Sequence, residues 1–190
     1  TVLKYFVRDD YTVPHIVSFD PYTGEKIEAI SGQALNTGTA WSRGQAWAIY
    51  GMAVAYRETG KKECLNTARN MANFLSHLPE DKVPYWDFRS TPDLQWVKDA
   101  SASACVASGL MELSNLLEDE AEKNFYKKQG MEILKALYDI RFDNEPNSQA
   151  MILGGTVNCL KKRHINVPII YGDFFFTEGL LKAQNKKGIF

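Results

Sequence analysis

The chain has 190 residues, 45% of them hydrophobic and 24% charged, the make-up of an ordinary globular protein. Its 22 basic and 23 acidic side chains leave a formal charge of −1, which offers no electrostatic footprint for nucleic acid or an anionic membrane. No apolar run approaches the roughly 20 residues needed to cross a bilayer, and Cys64, Cys105 and Cys159 are spaced for neither a disulfide framework nor zinc, so they read as reduced core thiols.

In chain order, Thr1 to Val7 reads as the last turns of a helix, and Arg8 to Tyr11 as a turn. Val13 to Phe19 has the β-branched and aromatic content of a short strand, closed by the turn Asp20-Pro21-Tyr22-Thr23-Gly24. Lys26 to Ile30 pairs back on it as a hairpin, and Ser31 to Thr39 is loop. From Ser42 the chain becomes a series of helix pairs. Arg43 to Thr59 is small and aromatic, with Gly60 as C-cap. Lys61 to Leu78 is amphipathic, with Leu65, Ala68, Ala72 and Leu75 along one stripe. Asp99 to Leu117 is again rich in Ala, Ser and Gly. The charged, amphipathic Asp119 to Ile140 follows, and a third apolar helix spans roughly Pro168 to Gln184.

A nearly uncharged helix is buried among others while its amphipathic partner faces water. Their alternation at about 60 to 70 residues predicts repeated helical hairpins in two concentric layers. The expected fold class is all-α, with a short β-hairpin near the N-terminus and residues 1–190 as one domain. Five helices plus the tail of a sixth are too few for a closed ring of hairpins, at roughly 15 to 20 residues per element. The chain therefore reads as a partial barrel.

The chemistry concentrates in Ala40-Trp41-Ser42-Arg43-Gly44-Gln45-Ala46-Trp47. Ser42 followed three residues later by Gln45 is the pattern of a capping box. Arg43 then falls in the first helical turn, where the macrodipole disfavours a cation unless an anion is also bound. Trp47 and Tyr50 follow on the same face. A cation whose fork matches a carboxylate, beside a flat aromatic, describes a site for an acidic sugar. The alternative is an Arg in a structural ion pair above a core Trp, and spacing alone favours it.

Trp41-Ser42-Arg43-Gly44-Gln45-Ala46-Trp47-Ala48-Ile49-Tyr50-Gly51 resembles the signature of the unsaturated glucuronyl hydrolases, family 88 of the glycoside hydrolases. His15 to Gly24, Val83 to Phe88, Asp99 to Leu110 and Val167 to Phe174 resemble further family blocks in the same order. The resemblance implies an (α/α)6 toroid of which this chain is the C-terminal half. It also implies hydration of the C4–C5 double bond of a 4,5-unsaturated uronic acid at the non-reducing end of lyase-generated oligosaccharides. The acid and base would be aspartates upstream of Thr1, so no catalytic residue is named. The binding residues implied are His15, Gln33, Arg43 and Trp47, with Arg43 gripping the carboxylate bidentately and Trp47 offering its ring face. Trp86 and Tyr171 are added as candidates near the pocket mouth. Asp87 reads equally as a loop brace, Asp99 as an N-cap, and Asp173 as suiting the helix dipole.

Four positions depart from the family pattern. Gly32 and Leu35 replace the family's histidine and tyrosine around Gln33, Lys98 replaces an arginine, and Asn166 replaces an aspartate. The run Lys161-Lys162-Arg163-His164 could meet an acidic or sulfated sugar further out, although such runs are usually solvated. No His, Cys or carboxylate cluster has ligand spacing, so neither metal nor organic cofactor is expected. The partners implied are an unsaturated oligosaccharide and the N-terminal half of the same protein. The compartment stays open between bacterial cytoplasm and periplasm. Related alternatives are an unsaturated rhamnogalacturonyl hydrolase and a non-catalytic sugar-binding or structural helical domain.

Overall fold

The computed structural model describes residues 1–73 and 77–189. A one-turn helix α1 (Val2–Tyr5) precedes the antiparallel hairpin β1 (Ile16–Phe19) and β2 (Lys26–Ile30), followed by α2 (Ser42–Thr59) and α3 (Lys62–Ala72). After a long segment that includes the 3-10 turn Pro92–Leu94 come α4 (Ala100–Leu116), α5 (Glu120–Arg141) and α6 (Ile170–Ala183). The all-α class with its small hairpin is the one expected from the pattern of apolar and amphipathic segments.

Local chemistry sets most of the boundaries. The Asp99 carboxylate caps α4 by accepting from the Ser101 N–H, and Asp119 caps α5 by accepting from the Glu122 N–H. Gly60, at φ 67°, closes α2 in the left-handed conformation, with its N–H on the Tyr56 carbonyl. In the hairpin turn, Asp20 accepts from the N–H groups of Tyr22 and Thr23, both at 2.8 Å. We expect Asp119→Ala to cost about 1 kcal/mol, read as a fall of about 2 to 4 °C in the melting midpoint.

Two expectations need correction. The strand begins at Ile16, three residues later than read, because Pro14 has no N–H and the Val13 N–H is taken by the Gln45 side chain at 3.2 Å. Helix α2 does start at Ser42, but Ser42 and Gln45 form no capping box, and the N-cap position is Trp41, which makes no side-chain cap. The Ser42 hydroxyl donates to the Trp86 carbonyl at 3.0 Å, and the Gln45 amide donates to the Tyr11 carbonyl at 2.9 Å. Both side chains tie α2 to distant segments. The expected helix to Leu78 is described only as far as Ala72, and Leu75 lies outside the described residues.

The helices form two layers. α4 packs against α2, α5 and α6, while α3 lies outside on α2. Fifteen of the residues of α4 are buried, which only an apolar, small-residue sequence permits. At Gly109 a Cβ would sit 3.2 Å from the Tyr50 backbone, so this glycine lets α2 and α4 approach backbone to backbone. Three buried thiols, Cys64, Cys105 and Cys159, are free.

The inner helices α2, α4 and α6 run parallel. Their first turns meet at one end, where Arg43 pairs with Asp99 and Trp47 packs on Tyr171. Their last turns meet at the other end, where the buried Lys182 ammonium lies 2.9 Å from Glu112 and 3.2 Å from Glu178. There Glu178 also accepts from the Ser108 hydroxyl at 2.5 Å and the Tyr50 hydroxyl at 3.1 Å, and Arg57 pairs with Glu112 at 2.7 Å.

Candidate functional site

The end where the inner helices begin is roofed by the loops 31–41, 83–99 and 153–169, which the chain pins together through carboxylates. Asp87, fully enclosed, accepts from the Leu35 N–H and the Thr39 hydroxyl of one loop and from the Arg89 N–H of its own. This is the bracing role that the sequence left as one of two readings. Asp173 accepts from the N–H groups of Met151 and Ile152, at 3.0 and 2.8 Å, and holds the last loop onto α6. Lys98, where the family resemblance has arginine, pairs with Asp81 at 2.5 Å.

Arg43 is the hub. Its side chain is 2% exposed, and Nη1 donates towards Asp99 Oδ2 at 2.8 Å, the Ser101 hydroxyl at 2.9 Å and the Thr156 carbonyl at 3.1 Å. Nη2 has only the Gln33 Oε1 at 3.4 Å and the Val157 carbonyl at 3.5 Å. An end-on grip on a substrate carboxylate through Nη1 and Nη2 is therefore not open to it, because Nη1 is already spent on the ion pair with Asp99. What remains is Nη2, whose two long contacts leave room for one charge-assisted hydrogen bond, and on the same side of the fork the Nε–H, which is buried and has no partner among the described residues. Burial pushes the Asp99 carboxyl up, and Arg43, the Ser101 hydroxyl and the amides of Thr156 and Ser101 oppose that shift. The guanidinium lies over the Trp41 ring at 4.7 Å and 5.8 Å from that of Tyr171.

The aromatic residues divide into two kinds. Trp47 is 37% exposed and stands edge-on to Trp41 and Tyr171, at 5.9 and 5.4 Å between centroids. Tyr171, at the start of α6, is 43% exposed. These two form an open aromatic corner at the mouth. Trp86 does not belong to it. At 0% exposure it is packed with Ala34, Trp41, Val97 and Cys159, so the expected substrate contact is corrected to a core position. Further polypeptide can only cover a buried residue more, so this correction is independent of what else surrounds the chain.

His15 and Gln33 meet beside the mouth. The Gln33 N–H donates to His15 Nδ1 at 2.8 Å, and the imidazole stands against the Trp41 ring at 4.5 Å. Burial pushes the His15 imidazole below its ordinary value, with the Ser31 carbonyl opposing and the Arg43 charge reinforcing the shift. His15, Gly32 and Gln33 line a cleft of about 290 Å³ with Val157, Asn158, Lys161 and Arg163. The basic run thus reaches the cleft through Lys161 and Arg163. It does so by a tight turn in which Lys162 and His164 adopt φ of 49° and 50°. Asn166 is likewise left-handed at φ 54°, a conformation that asparagine tolerates better than most residues. The contributions of Ser101, Thr156, Val157 and Asn158 were not legible in the sequence: only tertiary placement brings Ser101 of α4 and Thr156 and Val157 of the 153–169 loop to Arg43, and Asn158 to the cleft.

No protein-family model matches the chain. An unsaturated glucuronyl hydrolase from Formosa agariphila is 34% identical over an alignment covering 97% of this chain and 46% of that protein. The crystal structure of the unsaturated glucuronyl hydrolase from Bacillus sp. GL1, described as responsible for the degradation of glycosaminoglycan, superposes with a TM-score of 0.89. That match is at 33% identity and covers 96% of this chain and 49% of the other. The chain belongs to the unsaturated glucuronyl hydrolase family. It spans about half the length of the family relatives it matches. A mutant unsaturated glucuronyl hydrolase from Streptococcus agalactiae, solved in complex with dGlcA-GalNAc6S, matches with a TM-score of 0.84 at 31% identity, covering 98% of this chain and 50% of that one.

Proposed function

We propose that this chain supplies the substrate-binding side of a hydrolase that removes 4,5-unsaturated uronic acid from the non-reducing end of glycosaminoglycan-derived oligosaccharides. The observation that carries the reading is the open corner of Trp47 and Tyr171 set directly over the buried Arg43–Asp99 pair, at the end where three helix N-termini converge. Helix N-termini favour an anion, and the exposed ring of Trp47 offers a face on which a sugar ring can stack. Nη2 and the unpartnered Nε of Arg43 are the donors available to the uronate, with Gln33 beside Nη2.

In the reaction proposed, a proton adds at C4 and water adds at C5. The resulting hemiketal opens, and the rest of the sugar leaves as an alcohol. The acid and base are expected on aspartates in the half of the family's length that this chain does not span. This chain holds the ring and the carboxylate in register with them. Lys161 and Arg163, on the far side of the cleft, suit an acidic or sulfated neighbouring sugar.

Trp47→Ala tests the assignment in the protein at the full length its gene encodes, with an unsaturated chondroitin disaccharide followed by loss of double-bond absorbance. We expect kcat/KM to fall about tenfold, the loss of one aromatic platform, while Phe125→Ala on the outer helix changes nothing. Equal activity of Trp47→Ala and the parent protein would remove Trp47 from the site.

A further inference from the structure

Helices α2 and α6 each pack on α4, which stands between them, and side chains bridge the two directly. Trp47 and Tyr50 lie three residues apart on α2, while Tyr171, Phe175 and Glu178 follow at intervals of four and three on α6, so each set shares a helix face. The rings of Trp47 and Tyr171 stand edge-on at the mouth with centroids 5.4 Å apart, and one turn deeper those of Tyr50 and Phe175 do so at 5.2 Å. Deeper again, the Tyr50 hydroxyl donates to Glu178 Oε1 at 3.1 Å, the one side-chain hydrogen bond between α2 and α6 among the described residues. Edge-on rings tolerate a spread of separations, whereas a hydrogen bond fixes both a distance and a direction. Its acceptor cannot swing. Glu178 is fully enclosed, and its Oε2 is tied to the Ser108 hydroxyl of α4 at 2.5 Å and to Lys182 at 3.2 Å. Burial, reinforced by the Glu178 charge, pushes the Tyr50 hydroxyl up, so it keeps its proton at neutral pH. Against burial, the Ser108 hydroxyl, Lys182 and Tyr50 hold the Glu178 carboxyl below its ordinary value, so the acceptor is charged.

We infer that Tyr50 and Glu178 are positioning residues for the aromatic corner: the bond between them sets the distance of α6 from α2 and so holds the Tyr171 ring edge-on to Trp47. Tyr50 acts one turn below Trp47, and Glu178 two turns below Tyr171, so both work through the helices that carry the corner. The placement of the rings stands on contacts within the chain. Its use in holding a sugar ring rests on the function proposed above.

The corner is read without substrate in nitrogen–proton NMR spectra of the 15N-labelled full-length protein. The Trp47 indole N–H is assigned by its loss in Trp47→Phe, and Tyr171→Leu shows where it resonates without the facing ring. Tyr50→Phe removes the hydroxyl alone and keeps a ring against Phe175, so any change comes from the lost bond. It should move the Trp47 resonance a large part of the way to its Tyr171→Leu position. Ser108→Ala is the control, because it takes a partner from the other oxygen of Glu178 and leaves the Tyr50 bond in place. It should lower the melting midpoint and leave the Trp47 resonance where it is. An unmoved Trp47 resonance in Tyr50→Phe would overturn the inference, as would an equal displacement in Ser108→Ala. With an unsaturated chondroitin disaccharide, Tyr50→Phe should lower kcat/KM about fivefold while Ser108→Ala leaves it unchanged. Equal losses in the two variants would reduce the pair to general stability and overturn the positioning role. If the unaltered protein does not turn the disaccharide over, the function proposed above fails, and the spectra still decide whether the bond places the rings.

Discussion

Arg43→Ala is expected to destabilise the protein by about 3 to 5 kcal/mol, the cost of leaving a buried charge without its partner. Asp99 is completely enclosed, and Arg43 is its one salt-bridge partner among the described residues. Removing the guanidinium leaves the carboxylate with the N–H groups of Ser101 and Thr156 and the Ser101 hydroxyl, and it strands the Thr156 carbonyl that faced Nη1. Thermal unfolding of a chain this size should shift by about 2 to 4 °C per kcal/mol, so the melting midpoint should fall by about 6 to 20 °C. Arg43→Lys should fall between the two. An ammonium supplies the charge, but it cannot reach Asp99, Ser101 and Thr156 from one planar fork while also facing Gln33. A change of less than about 1 kcal/mol in Arg43→Ala, measured by denaturant unfolding, would contradict the structural role. Loss of activity in this variant therefore says little about substrate contact unless stability is measured alongside it. Trp47→Ala is the cleaner probe of binding, because Trp47 is partly exposed and packs by its ring against Trp41 and Tyr171.

The second large effect lies at the opposite end of the inner layer. Lys182→Met should cost about 3 to 5 kcal/mol at neutral pH, because Glu178 and Glu112 lose the cation between them. Glu178 gives this prediction a pH signature. Burial pushes its carboxyl up, but the Ser108 hydroxyl, Lys182 and the Tyr50 hydroxyl outweigh that and leave it below its ordinary value. A carboxyl held low in the folded state stabilises the fold above its unfolded pKa, and the contribution is lost as pH falls through the folded value. Without Lys182 that contribution is reduced to what the Ser108 and Tyr50 hydroxyls supply, so the deficit of the variant should be greatest near pH 7 and shrink as the pH drops through about 4. A deficit that grows on acidification would contradict the arrangement.

What could be read from the sequence was what local chemistry determines. Asp99, Asp119 and Gly60 terminate helices by contacts within a few residues, and each sits where the pattern places it. The alternation of apolar and amphipathic helices follows from burial, so the two layers were legible as well. Ser42 and Gln45 show the limit. Their spacing is that of a capping box, but each side chain finds a partner more than thirty positions away, at Trp86 and at Tyr11 and Val13. Arg43 was flagged for its odd position in a first helical turn, and the reason for it, Asp99, lies 56 residues along the chain. Trp86 and Trp47 are the same residue type in equally family-like blocks. Only packing separates the one that fills a core from the one that stands at the mouth.

On the proposed function, the corner of Trp47, Tyr171 and Arg43 holds an unsaturated uronate while water adds across its double bond. The most direct measurement runs the full-length protein on an unsaturated chondroitin disaccharide in heavy water and follows the initial product by NMR. Loss of the C4–C5 double bond with one deuterium at C4, together with release of the partner sugar, is the predicted result. Release of a uronate that keeps its double bond, or a substrate left unchanged, would contradict the account.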